Sequence, residues 1–185
     1  MGTISLILHV TAAVALVGPQ IIMFFAVVPA TWLIEDDEKL KRALLKVVAG
    51  RFGMLAAASI IVLLVTGLFQ YYTIVPENIR AEPNDYMFGL IFSMKMLMFT
   101  VLVVLIYWHA FRYGKKIAAL SDQVIALESD PSAARREEGR RLADELERAR
   151  QKSFGFSSFI LIASLLTLWL GVALGHESFA WAQRG

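Results

Sequence analysis

The sequence lacks cysteine altogether, and only 18% of its 185 residues are charged. The absence of cysteine excludes a disulfide framework, an iron–sulfur cluster on cysteine ligands and a haem attached covalently through a C-x-x-C-H motif. So little charge, beside 57% hydrophobic residues and a mean hydropathy of +0.60, excludes an ordinary soluble enzyme and a disordered chain. The sequence also lacks the alternating segments of about ten residues that build an outer-membrane barrel. We therefore expect a helical membrane protein.

Most of the apolar residues fall into four stretches, each at or above the ~20 residues that a helix needs to cross the hydrocarbon core. We predict membrane spans at about 4–33, 54–75, 86–111 and 155–175. The first stretch follows no lysine or arginine and runs well past Ala13-Val14-Ala15, so we expect a spanning helix there rather than a cleaved signal peptide. The predicted fold is an all-α integral membrane four-helix bundle that forms a single transmembrane domain over 1–185.

The basic residues are distributed unequally between the segments that connect the spans. Fifteen of the 18 lysines and arginines lie in the loops 34–53 and 112–154, whereas the opposite side has only Arg80 and Arg184. Positively charged loops stay in the cytoplasm, so we expect a bacterial-type inner membrane with both large loops cytoplasmic and both termini outside. This asymmetry also explains the net charge of +2 without a nucleic-acid partner.

The longer loop has a helical pattern of its own, which turns at Ser129-Asp130-Pro131. Apolar residues recur at helical spacing on both sides of that turn: Ile117, Leu120, Val124, Leu127, Leu142 and Leu146. We predict that 112–129 and 131–153 extend the third and fourth spans as an antiparallel cytoplasmic hairpin. Ion pairs four residues apart would stabilise its solvated face: Arg140 with Asp144, Arg141 with Glu145, and Asp144 with Arg148. The same hairpin would also suit the docking of a partner subunit.

Few ionisable side chains lie inside the spans, and three of them fall at one depth. Counting along the helices places His9, Lys95 and His176 roughly 7–11 Å below the outer surface, with Gln70 at a similar level. An ionisable group in hydrocarbon costs roughly 2.5–3.5 kcal/mol unless something there uses it. We therefore take these residues as candidates for cofactor binding.

Two helix faces of mostly small or polar residues accompany this layer. They are His9, Ala13, Leu16 and Gln20 on the first span, and Ser164, Thr167, Gly171 and Gly175 on the fourth. Such faces suit both the approach of a flat cofactor to the backbone and the close packing of helices in lipid. The pattern alone does not separate these two roles.

His109 lies near the cytoplasmic end of the third span, between Trp108 and Arg112. Two interpretations are open for this residue. It is either an interfacial histidine in an aromatic belt with Trp32, or a cofactor ligand in a second site on the cytoplasmic side.

Two imidazoles from different helices, meeting in an apolar layer without thiolates or a carboxylate cluster, are suited to axial ligation of a haem iron. The haem supplies four nitrogens of its own, so the protein has to contribute only one or two ligands and room. His9 and His176 are the predicted metal ligands. Lys95 would pair with a haem propionate, or would replace one histidine as the axial amine.

A copper ion is the alternative cofactor. The two histidines would need soft ligands to complete a copper site, and Met87, Met94 and Met98 fall on one face of the third span. A methionine face in a lipid-embedded helix also serves packing. The methionines therefore leave both roles open.

Several short segments resemble a family of four-helix membrane proteins. These are Leu8-His9 followed by small residues and Gly18, Arg51-Phe52 with Thr66-Gly67, Met94-Lys95-Met96-Leu97, and Ile106-Tyr107-Trp108-His109. The pattern looks like that of CopD-type copper-resistance proteins and is similar to that of HemJ-type protoporphyrinogen oxidases. The HemJ-like branch implies a haem b near His9 with Lys95 close by, and the CopD-like branch implies copper handling across the inner membrane. The sequence departs from the HemJ pattern in lacking a tryptophan just before Gly18 and an arginine later in the first span, and in adding the long hairpin.

The sequence as a whole predicts a membrane-embedded b-type haem protein, similar to a cytochrome b, with a redox or electron-transfer role at the outer side of the membrane. Copper binding or transport of the CopD type is the alternative, and an oxidoreductase activity stays open. The expected partners are the lipid bilayer, a quinone or redox partner protein, and further copies of the chain in a homo-oligomer.

Overall fold

The computed structural model describes residues 2–34, 37–128 and 133–184, which are helical almost throughout. The α-helices are α1 (Gly2–Ile22), α2 (Val28–Trp32), α3 (Glu38–Thr73), α4 (Glu77–Ala81), α5 (Met87–His109), α6 (Lys115–Glu128), α7 (Ala133–Gly175) and α8 (Glu177–Ala180). Wider π-helical turns at Met23–Val27 and Ala110–Gly114 join α1 to α2 and α5 to α6. Over the described ranges the chain forms no strand, only one isolated antiparallel bridge between Tyr86 and Gln183. The predicted all-α class is confirmed.

Four helical segments are long and apolar enough to cross a membrane. They are Gly2–Trp32, Glu38–Thr73, Met87–Leu127 and Glu137–Gly175. Most of their apolar surface is exposed, with side chains such as Leu6, Ile61 and Trp169 turned outward. Apolar surface of this extent is stable against lipid and not against water. The chain is therefore a membrane protein with four helices that can span the bilayer.

The segment predicted as a loop at 34–53 is mostly helical, so that prediction was wrong. Helix α3 begins at Glu38 and continues through the second predicted span. Asp37 caps its first turn, because the Oδ1 atom accepts a hydrogen bond from the Leu40 amide at 2.7 Å. No proline follows before the span begins, so the polar residues extend the helix instead of ending it.

The predicted extensions of the third and fourth spans are helical and pack against each other. Leu120 and Val124 of α6 form a buried core with Leu146 and Ala149 of α7. Ile117 and Leu142 are partly buried against that core. The predicted turn at Ser129-Asp130-Pro131 lies outside the described residues.

The ion pairs expected within the extension of the fourth span do not form among the described residues. Arg141 pairs with Glu137 at 3.5 Å, and Glu145 pairs with Lys116 of α6 at 2.8 Å. The sequence pattern could not show that a lysine on the facing helix competes for Glu145. The exposed charges therefore join α6 to α7 in addition to supporting α7 itself.

The chain divides into two compact units. The first comprises Met1–Gln20, Met54–Val103 and Leu161–Gly185, and the second comprises Ile21–Gly53 and Val104–Ile160. In the first unit, side chains connect α1 with α3, α3 with α5, α5 with α7, and α7 with α1. The four helices of that unit therefore form a closed ring of contacts, which places the polar residues of the spans on facing helices.

The start of α5 in the first unit is set by close backbone contacts. A Cβ atom on Gly89 would overlap the carbonyl oxygen of Pro83, so only glycine fits at this point of the helix. The amide of Met87 donates to the Ala182 carbonyl at 2.9 Å, and the amide of Arg184 donates to the Asp85 carbonyl at 2.7 Å. The segment before α5 is thus tied to the segment that follows α8.

The second unit is held by a buried ion pair and by aromatic stacking. Glu38 is buried, and its Oε1 atom accepts hydrogen bonds at 2.6 Å both from the Ser121 hydroxyl and from Nη2 of Arg150. These residues come from α3, α6 and α7. Phe24, in the first π-helical turn, stacks on Phe154 of α7 with ring centroids 4.4 Å apart.

Candidate functional site

His9 of α1 is hydrogen-bonded to α3. Its Nδ1 atom lies 2.7 Å from the Thr66 hydroxyl oxygen, and the same hydroxyl lies 2.6 Å from the Val62 carbonyl oxygen. When the hydroxyl donates to Val62, its oxygen accepts from Nδ1–H of His9, and Nε2 keeps its lone pair. Nε2 has no hydrogen-bond partner among the described residues. A histidine that ligates a metal is held in the same way, by a hydrogen bond from its other nitrogen.

Two further contacts position α1 and α3 around this ring. Gly67 lies beside it, since a Cβ atom there would be 3.5 Å from Cε1 of His9. Gln70 was predicted to bind a cofactor, and its Nε2 atom instead donates to the backbone carbonyl of Ser5 at 3.2 Å. Gln70 therefore ties the two helices together about one turn from Thr66, and a role as a ligand stays a prediction.

Lys95 of α5 is a half-buried cation inside a membrane span. Its Nζ atom lies against α7, at 3.4 Å from the position that a Cβ atom would occupy on Gly171. No hydrogen bond or ion pair joins Lys95 to the part of the chain that the structure describes. His9 and Lys95 belong to the same compact unit, and a common layer of the two side chains stays a prediction.

His176 lies beyond the end of α7, where it caps the short helix α8. Its carbonyl accepts from the amides of Phe179 and Ala180 at 3.0 and 2.9 Å. The side chain is exposed, and Nδ1 lies 3.1 Å from the Ser178 hydroxyl. No contact between His176 and His9 is formed in the described chain, so axial ligation by both histidines stays a prediction.

His109 has partners on α7 within the second unit. Its Nε2 atom lies 2.9 Å from the Ser153 hydroxyl and 3.2 Å from the Ser157 hydroxyl. Because Ser157 donates to the Ser153 carbonyl at 2.9 Å, its oxygen accepts from Nε2–H. The ring also stacks on Phe156 at a centroid distance of 5.8 Å. Nε2 is therefore occupied, and a second cofactor at His109 would have to use Nδ1.

The methionine face predicted for copper is divided by the packing of α5. Met94 is 48% exposed, whereas Met87 and Met98 are half-buried. Among the described residues, no group of three or more histidine, aspartate or glutamate side chains could hold a metal ion. The protein atoms alone thus offer few ligands for a bare cation.

An apolar groove of about 270 Å³ opens between α1 and α3. The residues that line it are Ile4, Ser5, Leu8, Val65, Thr66 and Phe69. Thr66 belongs both to this groove and to the hydrogen bond that orients His9. The groove thus lies beside the hydrogen bond between Thr66 and His9, although His9 itself does not line it.

Sequence reasoning missed Thr66 as the partner of His9, and Ser153 and Ser157 as partners of His109. Hydroxyl residues are frequent in membrane helices, where they often bond their own backbone. Spacing along one helix does not show which of them faces a histidine on another. Two signals were available: Thr66 lies four residues before Gln70 on the same face of α3, and Thr66-Gly67 is one of the segments that carry the family resemblance.

Comparisons with known proteins found no relative of this chain. No protein-family model matches the chain, and no curated protein and no solved structure is significantly similar to it. The resemblance to CopD-type and HemJ-type proteins therefore stays a prediction from single residues, and the functional argument depends on the geometry of the site.

Proposed function

We propose that the chain is a membrane-embedded protein that binds haem b through His9 and takes part in electron transfer. One observation carries the proposal: Nδ1 of His9 is bonded to the Thr66 hydroxyl, and Nε2 has no hydrogen-bond partner among the described residues. A neutral imidazole with its second nitrogen held by a neighbour is the usual state of an axial ligand.

The residues around His9 fit a haem in composition. A porphyrin brings four nitrogens, so a single imidazole and one further group complete the coordination. Lys95 would be the further group in the same unit, either as a neutral amine that holds the iron or as an ammonium that pairs with a propionate carboxylate. The backbone at Gly67 lies close to the His9 ring, and the backbone at Gly171 lies close to Nζ of Lys95. When bound, the haem would supply one-electron chemistry.

The donor set favours haem over the copper alternative. A copper ion needs three or four protein ligands, and a soft site draws them from methionine, histidine and cysteine. The chain has no cysteine, and the side chain of Met94 is 48% exposed. His9 therefore lacks the additional protein ligands that a bare copper ion requires.

The proposal also includes the orientation of the protein in the membrane and its redox partners. The basic segments at 38–53 and 112–154 would lie in the cytoplasm of a cell with an inner membrane. The His9 site would then lie toward the outer side. Its electrons would pass to or from a quinone or a redox partner protein, and the apolar groove next to Thr66 is one route for a lipid-soluble partner.

Haem binding by purified variants tests the proposal. The full chain in detergent is titrated with haemin, and the Soret absorbance gives the affinity and the stoichiometry. We expect His9→Ala to weaken binding at least tenfold, because the axial bond is lost, and His109→Ala to bind as the parent does. Retention of full haem affinity in His9→Ala, in protein that elutes as the parent does on size exclusion, would exclude His9 as the ligand.

A second pair of variants identifies the group that acts with His9. Lys95 is half-buried inside the unit that holds His9, whereas the side chain of His176 is exposed beside Ser178. Lys95→Met should therefore change the spectrum or the affinity, and His176→Ala should change neither. The opposite result would restore the predicted pair of histidines.

A further inference from the structure

A polar cavity of about 250 Å³ lies in the second unit and is separate from every residue of the proposed haem site. The residues that line it are Thr31, Trp32, Lys41, Glu147 and Arg150. They come from the end of α2, the first turns of α3 and the polar part of α7. The cavity thus combines two cations, one carboxylate, one hydroxyl and one indole.

Lys41 and Arg150 both have N–H donors that are not used by the described residues. Lys41 forms no ion pair with any described residue, so its three N–H donors are available. Arg150 uses Nη2 on Glu38, at 2.6 Å, and a guanidinium has five N–H donors in all. Because the Glu38 carboxylate neutralises Arg150, Lys41 supplies the net positive charge next to the cavity.

The remaining polar residues are acceptors. Glu147 is exposed and forms no ion pair within the described ranges. The Thr31 hydroxyl donates to the Val28 carbonyl at 2.6 Å, which leaves its oxygen lone pairs to accept. An occupant should therefore carry an anion for Lys41 and Arg150, and a cation with N–H donors for Glu147 and Thr31.

The position of the cavity at the ends of two spans indicates a lipid. Trp32 is the last residue of α2, where the first apolar helix ends, and tryptophan is enriched where helices meet the headgroup layer. Lys41 lies in the first turns of α3, before its apolar part begins. Basic pockets between membrane helices at this level bind phospholipid headgroups.

We propose that this cavity binds the phosphoethanolamine headgroup of a phospholipid. The phosphate contacts Lys41 and Arg150, and the primary ammonium donates to Glu147 and Thr31. The diacylglycerol then extends past Trp32 into the bilayer. Phosphatidylglycerol has no ammonium for Glu147, and the ammonium of phosphatidylcholine has no N–H donor, so each matches only the cationic side.

Native mass spectrometry of the full chain in detergent measures this selectivity directly. The protein is titrated separately with phosphatidylethanolamine, phosphatidylglycerol and phosphatidylcholine of identical acyl chains. Only phosphatidylethanolamine donates charge-assisted hydrogen bonds to Glu147, and such bonds are stronger than those between neutral groups. We expect phosphatidylethanolamine to bind about tenfold more tightly than either of the others. Equal affinity for the three lipids would overturn the proposal.

Two pairs of matched variants assign the contacts. Glu147→Gln should reduce the affinity for phosphatidylethanolamine to that for phosphatidylglycerol, whereas Glu138→Gln, an exposed change on the same helix, should leave it unchanged. Lys41→Gln should weaken the binding of all three lipids, and Lys39→Gln should not. Selectivity that survives in Glu147→Gln would remove the carboxylate from the site and contradict the assignment.

A soluble competitor separates a lipid from its free headgroup. Phosphoethanolamine without acyl chains carries the same two charges but gains nothing from the bilayer next to Trp32. It should displace the lipid only at concentrations far above the lipid's own. Displacement by equal concentrations would show that the cavity binds a water-soluble phosphoester, and the proposed occupant would be wrong.

Discussion

Two polar clusters, one in each unit, differ in whether their side chains have partners. In the second unit, Glu38 accepts hydrogen bonds from Ser121 and Arg150, and Nε2 of His109 lies between two serine hydroxyls. In the first unit, Lys95 has no partner in the described chain, and His9 keeps one nitrogen free. Polar groups with partners hold helices together, whereas polar groups without them carry an energetic cost that a bound ligand can remove.

This difference separates a structural role from a binding role for histidines in similar surroundings. His9 and His109 both lie in apolar helices and both bond hydroxyl side chains of a neighbouring helix. Nε2, the nitrogen that most often ligates an iron, is free in the first and occupied in the second. The satisfied cluster should thus control stability, and the unsatisfied pair should control cofactor binding.

The largest expected effect comes from removing one partner of the buried ion pair. Glu38→Ala leaves the charge of Arg150 uncompensated, and breaking a buried pair costs about 3–5 kcal/mol. Unfolding of the haem-free protein in a detergent titration should show a loss of that size. Lys39→Ala, at an exposed neighbouring position, should be close to neutral. A loss under about 1 kcal/mol would contradict the structural role of Glu38.

A change in stability of the opposite sign, a gain, is expected when Lys95 in the first unit is replaced. Lys95→Met removes a cation without a partner from the membrane span, where such a charge costs roughly 2.5–3.5 kcal/mol. The haem-free variant should therefore be more stable than the parent by about 2 kcal/mol in the same titration. Lys152→Met, an exposed control on α7, should change little. Destabilisation by Lys95→Met would mean that the ammonium has a structural partner.

The third effect concerns the hydrogen bond that orients His9. Thr66→Val keeps the size of the side chain and removes the acceptor of Nδ1–H, and loss of such a contact typically costs 10–100-fold in metal affinity. We expect haemin affinity to fall about tenfold in a titration followed at the Soret band. Thr66→Ser, which keeps the hydroxyl, should restore most of it. Equal affinity in all three proteins would show that Thr66 does not act through His9.

The smallest effect is expected at His109. Ser157→Ala removes one of two hydroxyl partners of Nε2, so the ring keeps the Ser153 contact, and the loss should be about 1 kcal/mol. Thermal unfolding measures the stability, and the haem content of the same samples should equal that of the parent. A variant that loses haem would place a cofactor near His109 and remove the contrast between the two units.

The long helices could be predicted from the sequence because each follows from a local pattern. Runs of apolar residues gave the four spans, and the spacing of Leu120, Val124 and Leu146 gave the packed extensions. The helix at 38–53 was missed because five basic residues interrupt its apolar residues, so the segment lacks the long apolar run that marks a span. Its start depends on one cap, Asp37, and on the absence of proline.

The site could be predicted only in part, because its contacts join residues far apart in the chain. The depth of His9 and Lys95 within their helices is a local property, so their shared layer could be expected. Which hydroxyl faces which imidazole depends on the rotation of each helix. The sequence therefore named the ionisable residues and missed Thr66, Ser153 and Ser157.

The absorption spectrum of the purified full chain, oxidised and then reduced with dithionite, tests the central claim most directly. If Nε2 of His9 ligates a haem b, the protein is coloured, with a Soret band and sharp α and β bands on reduction, and the haem-to-protein ratio is one. Colourless protein that takes up no added haemin would contradict the account.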